Sequence, residues 1–168
     1  PVAINEIAWM GTVASANDEW FEIKNNTSYS IDLSQWALDA KGGTPHVKLS
    51  GVINPNSYLV FERTSDATIA DISAHQIYTG ALGNAGDELS LSFASTTIDQ
   101  TPGGMWSAGE NSTSTKRSME RISSKTSGTN GANWQTNNGV TKNGADATGN
   151  AIQGTPGAEN STPIAQNG

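Results

Sequence analysis

An all-β sandwich is the fold this sequence predicts, on three observations. Apolar and polar residues alternate with period two in segment after segment, no stretch holds a helical period, and turn residues interrupt the chain at short intervals. The 168 residues suit a single domain, and 35% hydrophobic against 15% charged side chains, with 18 glycines, fits short strands with many connections. A chain of this length buries roughly 70% of the surface it exposes when unfolded. One core is therefore enough without a covalent staple, and the sequence has no cysteine to make one.

The elements follow in order. Val2, Ile4, Glu6 and Ala8 alternate with Ala3, Asn5, Ile7 and Trp9 in a first strand. In Glu19 to Lys24, Phe21 and Ile23 share a face opposite Trp20, Glu22 and Lys24. Ile31, Leu33, Trp36 and Leu38 come next, with a phase change at Ser34-Gln35 that marks a bend or bulge. Val47 and Leu49 flank Lys48, and after the Asn54-Pro55-Asn56 turn the run Tyr58 to Phe61 reads as a buried strand. One helical turn fits between Asp66 and Ala74, where glycine and asparagine rule out a long helix. Leu89, Leu91 and Phe93 alternate with serines, so that strand shows one face to water. Thr96 to Asp99 pairs back on it, and in Ser118 to Ile122 Met119 and Arg121 face away from Glu120 and Ile122. The expected core is Phe21, Ile23, Leu33, Trp36, Leu59, Phe61, Leu89, Leu91 and Phe93. The Gly- and Asn-rich stretch 123–150 reads as a surface excursion pinned by Trp134, and residues 161–168 as a polar linker or tail after a domain spanning 1–160. The first strand carries one charge, Glu6, which suggests that Val2 to Trp9 lies at an exposed sheet edge or partner contact.

Charge and composition remove several functions. The net charge of −7 argues against a general nucleic-acid partner, and Lys116, Arg117 and Arg121 form the only basic spot. Without cysteine there is no thiolate chemistry and no Cys-based zinc site. No apolar run reaches the ~20 residues a membrane span needs, so membrane insertion is not expected. His46 and His75 lie outside any nucleophile-elbow pattern and read as strand-surface residues. Glu6 and Glu22 are the sharpest enzymatic pair, because two carboxyls ~5 to 9 Å apart suit glycoside hydrolysis. Their alternative role is to accept hydrogen bonds at the end of a sandwich, and no catalytic residue is expected. For cofactors the reading is none, with calcium the one ion for which the loops offer oxygens. Asp18, Glu19 and Asp87 are its candidate ligands, although none has EF-hand spacing. Trp9 and Trp106 stand beside glycine-rich turns and are the candidate binding residues, while Trp20, Trp36 and Trp134 read as packing.

Five segments in order carry a resemblance. They are Ile4-Asn5-Glu6-Ile7, Asp18 to Asn25, Ile31 to Leu38, Gly86-Asp87-Glu88-Leu89, and the closing Thr155-Pro156-Gly157-Ala158-Glu159-Asn160. Together they resemble the lamin-tail domain family over residues 2 to 160. The resemblance implies an immunoglobulin-like sandwich of the kind found in bacterial secreted or surface-attached proteins, with no catalytic residues of its own. The long gap between Trp134 and the close departs from that family's usual short one. The function it implies is a non-catalytic extracellular or cell-surface module for adhesion or assembly, with a protein or cell-surface glycan as partner. Its alternative is an accessory domain of a secreted hydrolase or nuclease. Self-association through an edge strand is a further expectation.

Overall fold

The computed structural model describes residues 1–163. In chain order the strands are β1 (Val2–Ala8), β2 (Trp20–Asn25), β3 (Ile31–Asp32), β4 (Trp36–Ala40), β5 (His46–Lys48), β6 (Val52–Ile53) and β7 (Tyr58–Arg63). They continue with β8 (Gln76–Tyr78), β9 (Leu89–Phe93), β10 (Thr96–Gln100), β11 (Glu110–Asn111), β12 (Lys116–Arg117), β13 (Met119–Arg121) and β14 (Trp134–Thr136). Six strands in the order β14-β13-β1-β2-β7-β8 form one sheet and four in the order β10-β9-β4-β5 form the other. Two small ribbons, β11-β12 and β3-β6, complete the set. Pairing is antiparallel except between β7 and β8, which run parallel. Among the described residues there is no α-helix, and no helix is long and apolar enough to cross a membrane. The stretch from Asp66 to Ala74 is a series of turns rather than a helical turn.

The two sheets pack as a sandwich around one apolar cluster. Phe21 and Phe61, paired across β2 and β7, stack with ring centroids 4.7 Å apart, and Ile4, Ile7, Ile23 and Met119 extend that layer. Leu38, Leu89, Leu91 and Trp36 face it from the four-stranded sheet. Eight of the nine expected core residues lie in or against this cluster, with Leu59 partly buried. Phe93 is the exception at 39% exposure, because it ends β9 at the hairpin and only leans on Trp36. That hairpin turns through Ala94 and Ser95, both at positive φ, so it is a tight two-residue connection.

Three expectations need correcting. The first strand is not an edge: β1 lies between β13 and β2, and every residue from Val2 to Ala8 is buried. Few charges are also what a strand covered on both faces requires. The pairing of β1 with β2 shifts between Ile4 and Glu6, so a bulge at Asn5 turns both Ile4 and Ile7 to the core and Glu6 outward. The strict alternation read from the sequence had put Ile4 with Glu6. Finally, the stretch 123–150 runs over the surface, but Trp134 is not its sole anchor. It returns over the outer face of the six-stranded sheet, burying Asn137, Asp146 and Ile152 there. Ser161 is buried as well, so the ordered unit runs past residue 160. The remainder of the expected tail, 164–168, lies outside the described residues.

Candidate functional site

The outer face of the six-stranded sheet carries the most unusual chemistry of the molecule. Register places Glu6 opposite Glu22 on one side and opposite Glu120 on the other, so three carboxyl groups stand side by side across β13, β1 and β2. All three are fully buried. Like charges directly opposite in a sheet repel, by about 3 kcal/mol per pair at about 5 Å and an effective dielectric of about 20. Among the described residues no cation pairs with any of them. Burial first, and Glu120 second, push the Glu6 carboxyl up to about 8. Burial, with Glu6 beside it, raises Glu22 well above the ordinary carboxyl range. Burial thus favours the neutral acid form at both positions.

The hydrogen bonds show that the row holds a proton. Glu6 Oε1 accepts from the Ser118 hydroxyl at 2.6 Å and the Thr155 amide at 2.7 Å. Its Oε2 meets only the Thr155 hydroxyl, at 2.9 Å. That same hydroxyl faces Glu120 Oε1 at 2.9 Å and Asn160 Oδ1 at 3.2 Å. The Asn160 amide nitrogen donates to the carbonyls of Asn5 and Arg121, which fixes its orientation. One hydroxyl proton cannot serve three oxygens. Thr155 Oγ1 thus has one proton for Glu6 Oε2 and Glu120 Oε1, and a carboxylic acid proton on the glutamate row completes the set.

The rest of the row is equally committed. Glu22 accepts from Asn5 Nδ2 at 2.8 Å and from the Gly157 amide at 2.5 Å. Glu120 accepts from Asn137 Nδ2 at 2.8 Å and from the Ser161 hydroxyl at 2.5 Å. Every carboxyl oxygen of the three is used by the chain itself. Residue 154 must be glycine for this approach, because a Cβ there would come within 2.7 Å of Glu6 Oε1 and 2.9 Å of the Trp20 ring. The Glu6–Glu22 pair singled out in the sequence is thus real and adjacent. It lies fully buried beneath the closing segment that begins at Thr155.

The candidate calcium ligands are not brought together. Glu19 is buried, accepts from the Leu82 amide at 2.7 Å and lies 3.5 Å from the Arg63 guanidinium. Burial still pushes its carboxyl up to about 7. Asp87 accepts from the amides of Gly42 and Glu88, closing its own loop. Asp18 is raised by burial and by Asp146, not held by a cation site. Among the described residues no group of three potential ligands converges on one point. The basic spot does not form either, because Arg121 is buried and pairs with Asp99 at 2.7 and 2.9 Å. His46 contacts Asp39 on the exposed face, and His75 Nε2 meets the Ser50 carbonyl, so both are surface residues.

Trp9 and Trp106 are brought together. Their ring planes lie within 8° of parallel with centroids 6.2 Å apart. Each indole nitrogen is tied back to the chain, Trp9 to the Ala108 carbonyl at 2.9 Å and Trp106 to that of Gly83 at 2.7 Å. Trp9 is nearly buried, Trp106 half-exposed, and Met105 beside them is 82% exposed. With Asn84, Ala85 and Gly109 they line an open cup of about 580 Å³. Its wall is stiff, because Gly86, at positive φ, presses backbone to backbone on Gly104, where a Cβ would meet the carbonyl oxygen at 2.1 Å. A second concave surface of about 650 Å³ covers the outer face of the four-stranded sheet, floored by Ala37, Ser90 and Ser92 between Asp39 and Thr97. It is lined mainly by polar side chains, with Trp36 the one large apolar side chain along it.

No protein-family model matches this chain, and no curated protein matches it.

Proposed function

We propose that this domain is a non-catalytic binding and structural module of the lamin-tail type, working outside the cell or at its surface. The observation that carries this reading is the fate of the three glutamates. They are the best-placed groups for acid–base chemistry, yet each oxygen is bound to the chain's own donors beneath a closed segment. A general acid works within hydrogen-bond distance of its substrate, and with the segment seated all three carboxyls are fully buried. The surface offered to a partner is the Trp9–Met105–Trp106 cup. Its indole nitrogens are already satisfied, so it presents ring surface and a flexible thioether, which suit the C–H face of a sugar or an apolar side chain.

Two measurements test this reading. Affinity electrophoresis against a panel of surface polysaccharides, with pull-downs on cell-surface proteins, is expected to yield a ligand whose binding drops at least tenfold in Trp106→Ala and Met105→Ala. Binding unaffected by both variants would remove the cup from the proposal. Turnover of any glycoside substrate that Glu6→Gln abolishes would overturn the non-catalytic reading altogether.

A further inference from the structure

The closing segment from Gly154 to Ser161 is fastened to the sheet by the three glutamates together with amide bonds, Gln135 Nε2 donating to the Ser161 carbonyl at 2.6 Å and Asn160 Nδ2 to the Arg121 carbonyl at 2.9 Å. Thr155 is held by Glu6 and Glu120, Gly157 by Glu22, and Ser161 by Glu120 through both its amide at 3.2 Å and its hydroxyl. Asn160 adds the link to Asn5 at 3.1 Å. No strand pairing holds residues 156–161. We propose that this segment is a proton-held strap, clamped while Glu6 and Glu22 are carboxylic acids and loosened from the sheet, without unfolding of the sandwich, when they ionise.

Three features support it. The Thr155 hydroxyl lies 2.9 Å from both Glu6 Oε2 and Glu120 Oε1, so loss of the acid proton on Glu6 leaves one hydroxyl proton between the two carboxyl groups. The surroundings offer nothing to neutralise the new charge. The Arg121 guanidinium on β13 pairs with Asp99 on β10, on the opposite face of the sheet. Lys24 on β2 sits over the Tyr58 ring of β7 at 5.3 Å, and Glu159 within the strap adds a further negative charge. The raised Tyr58 hydroxyl already registers both Glu22 and Glu159 after its own burial. The strap also has room to lift, since a cleft of about 180 Å³ opens along its edge between Lys24, Tyr58 and Asn160. The Phe21–Phe61 layer of the core and the Arg121–Asp99 pair lie on the other face of the sheet.

Pulsed hydrogen exchange read by mass spectrometry tests this on the whole chain at pH 6, 7.5 and 9, corrected for the intrinsic rate at each pH. Protection of peptides within 154–161 is expected to fall at least tenfold more than that of peptides within 89–93, a core strand without titratable side chains, between pH 6 and pH 9. In Glu6→Gln/Glu22→Gln, which keeps neutral side chains, that difference is expected to disappear. Unchanged strap protection up to pH 9 would overturn the proposal. So would a fall that runs parallel in strap and core, or a pH response that survives in the folded double variant. If the double variant does not fold, Glu22→Gln alone is expected to weaken the pH response, and the wild-type comparison of strap with core still decides.

Discussion

Replacing Arg121 by methionine is expected to cost 3–5 kcal/mol, because its guanidinium joins the two sheets from the inside. Its Nη1 donates to the Ile4 carbonyl at 2.8 Å and to Asp99 Oδ2 at 2.7 Å, and its Nη2 to Asp99 Oδ1 at 2.9 Å and the Thr126 carbonyl at 2.8 Å. The same group lies over the Trp134 ring at 5.1 Å. The side chains are 1% and 10% exposed, so solvent does little to screen the pair. Methionine conserves the apolar stem but leaves the Asp99 carboxylate with only the Ile4 amide at 2.7 Å. Stripping one partner from a buried, bidentate ion pair costs about 3–5 kcal/mol. For a chain of this size each kcal/mol lowers the melting temperature by about 2–4 °C, so a fall of roughly 6–20 °C accompanies it. Urea denaturation followed by tryptophan fluorescence measures the change, and a cycle with Asp99→Asn is expected to give a coupling energy of at least about 1.5 kcal/mol. A loss below about 1 kcal/mol with an unchanged denaturant slope would refute the reasoning, since the pair would then behave as a surface salt bridge.

Other outcomes follow from the same geometry. Glu62 is fully buried with no hydrogen bond of ordinary geometry to either carboxyl oxygen among the described residues; burial pushes it up to about 8 against a loose approach of the Ile69 backbone that holds it down, and Asp66 and Asp18 nearby add to the rise. Glu62→Met is therefore expected to stabilise the fold by about 1–3 kcal/mol at pH 8, as read by chemical denaturation. Glu6, Glu19 and Glu62 all keep protons in the folded state that the unfolded chain releases. Their contribution to stability is complete below about pH 4.5 and is lost as pH rises through 7 to 8. Thermal melts are expected to be highest near pH 5 and to fall toward pH 8, with a stability loss of at least ~1 kcal/mol per pH unit in that window. A flat profile from pH 5 to 8 would contradict the neutral carboxyls. Gly154→Ala is expected to cost about 1–3 kcal/mol by forcing a methyl against Glu6, Ser118 and Trp20, and a neutral melt would show that the cluster can shift aside.

Much of the fold was legible because alternation is local. The β2 pattern put Phe21 and Ile23 inward with Glu22 outward, and the same reading of Ser118 to Ile122 placed Glu120 opposite Met119, as found. What local pattern could not give is which strands become neighbours. Glu6 and Glu22 were singled out, but Glu120 joined them only once β13 paired with β1, more than a hundred residues away in sequence. The closing Thr155-Pro156-Gly157 motif buries Pro156 and is otherwise seated by polar bonds that no local pattern announces. The position of β1 was misread for a related reason, since a strand covered on both faces and a strand on an open edge can both be short of charge. Trp9 and Trp106 were found because both indoles adjoin glycine turns, yet their shared cup depends on the loop contact between Gly86 and Gly104. The proposed calcium oxygens failed because each carboxylate is occupied nearby, Glu19 by Leu82 and Asp87 by Gly42.

The most direct test of the structural role of the glutamate row is a carbon-13 carboxyl NMR titration of the folded protein, with Glu6, Glu22 and Glu120 assigned through their glutamine variants. Glu6 is expected to titrate with a midpoint near 8, Glu22 to stay protonated through neutral pH, and the Thr155 hydroxyl proton to remain visible and slow to exchange at pH 6. Midpoints for both Glu6 and Glu22 in the ordinary carboxyl range, about 4 to 5, would mean that the row is ionised when folded, and would contradict the proton that fastens Thr155 to the sheet.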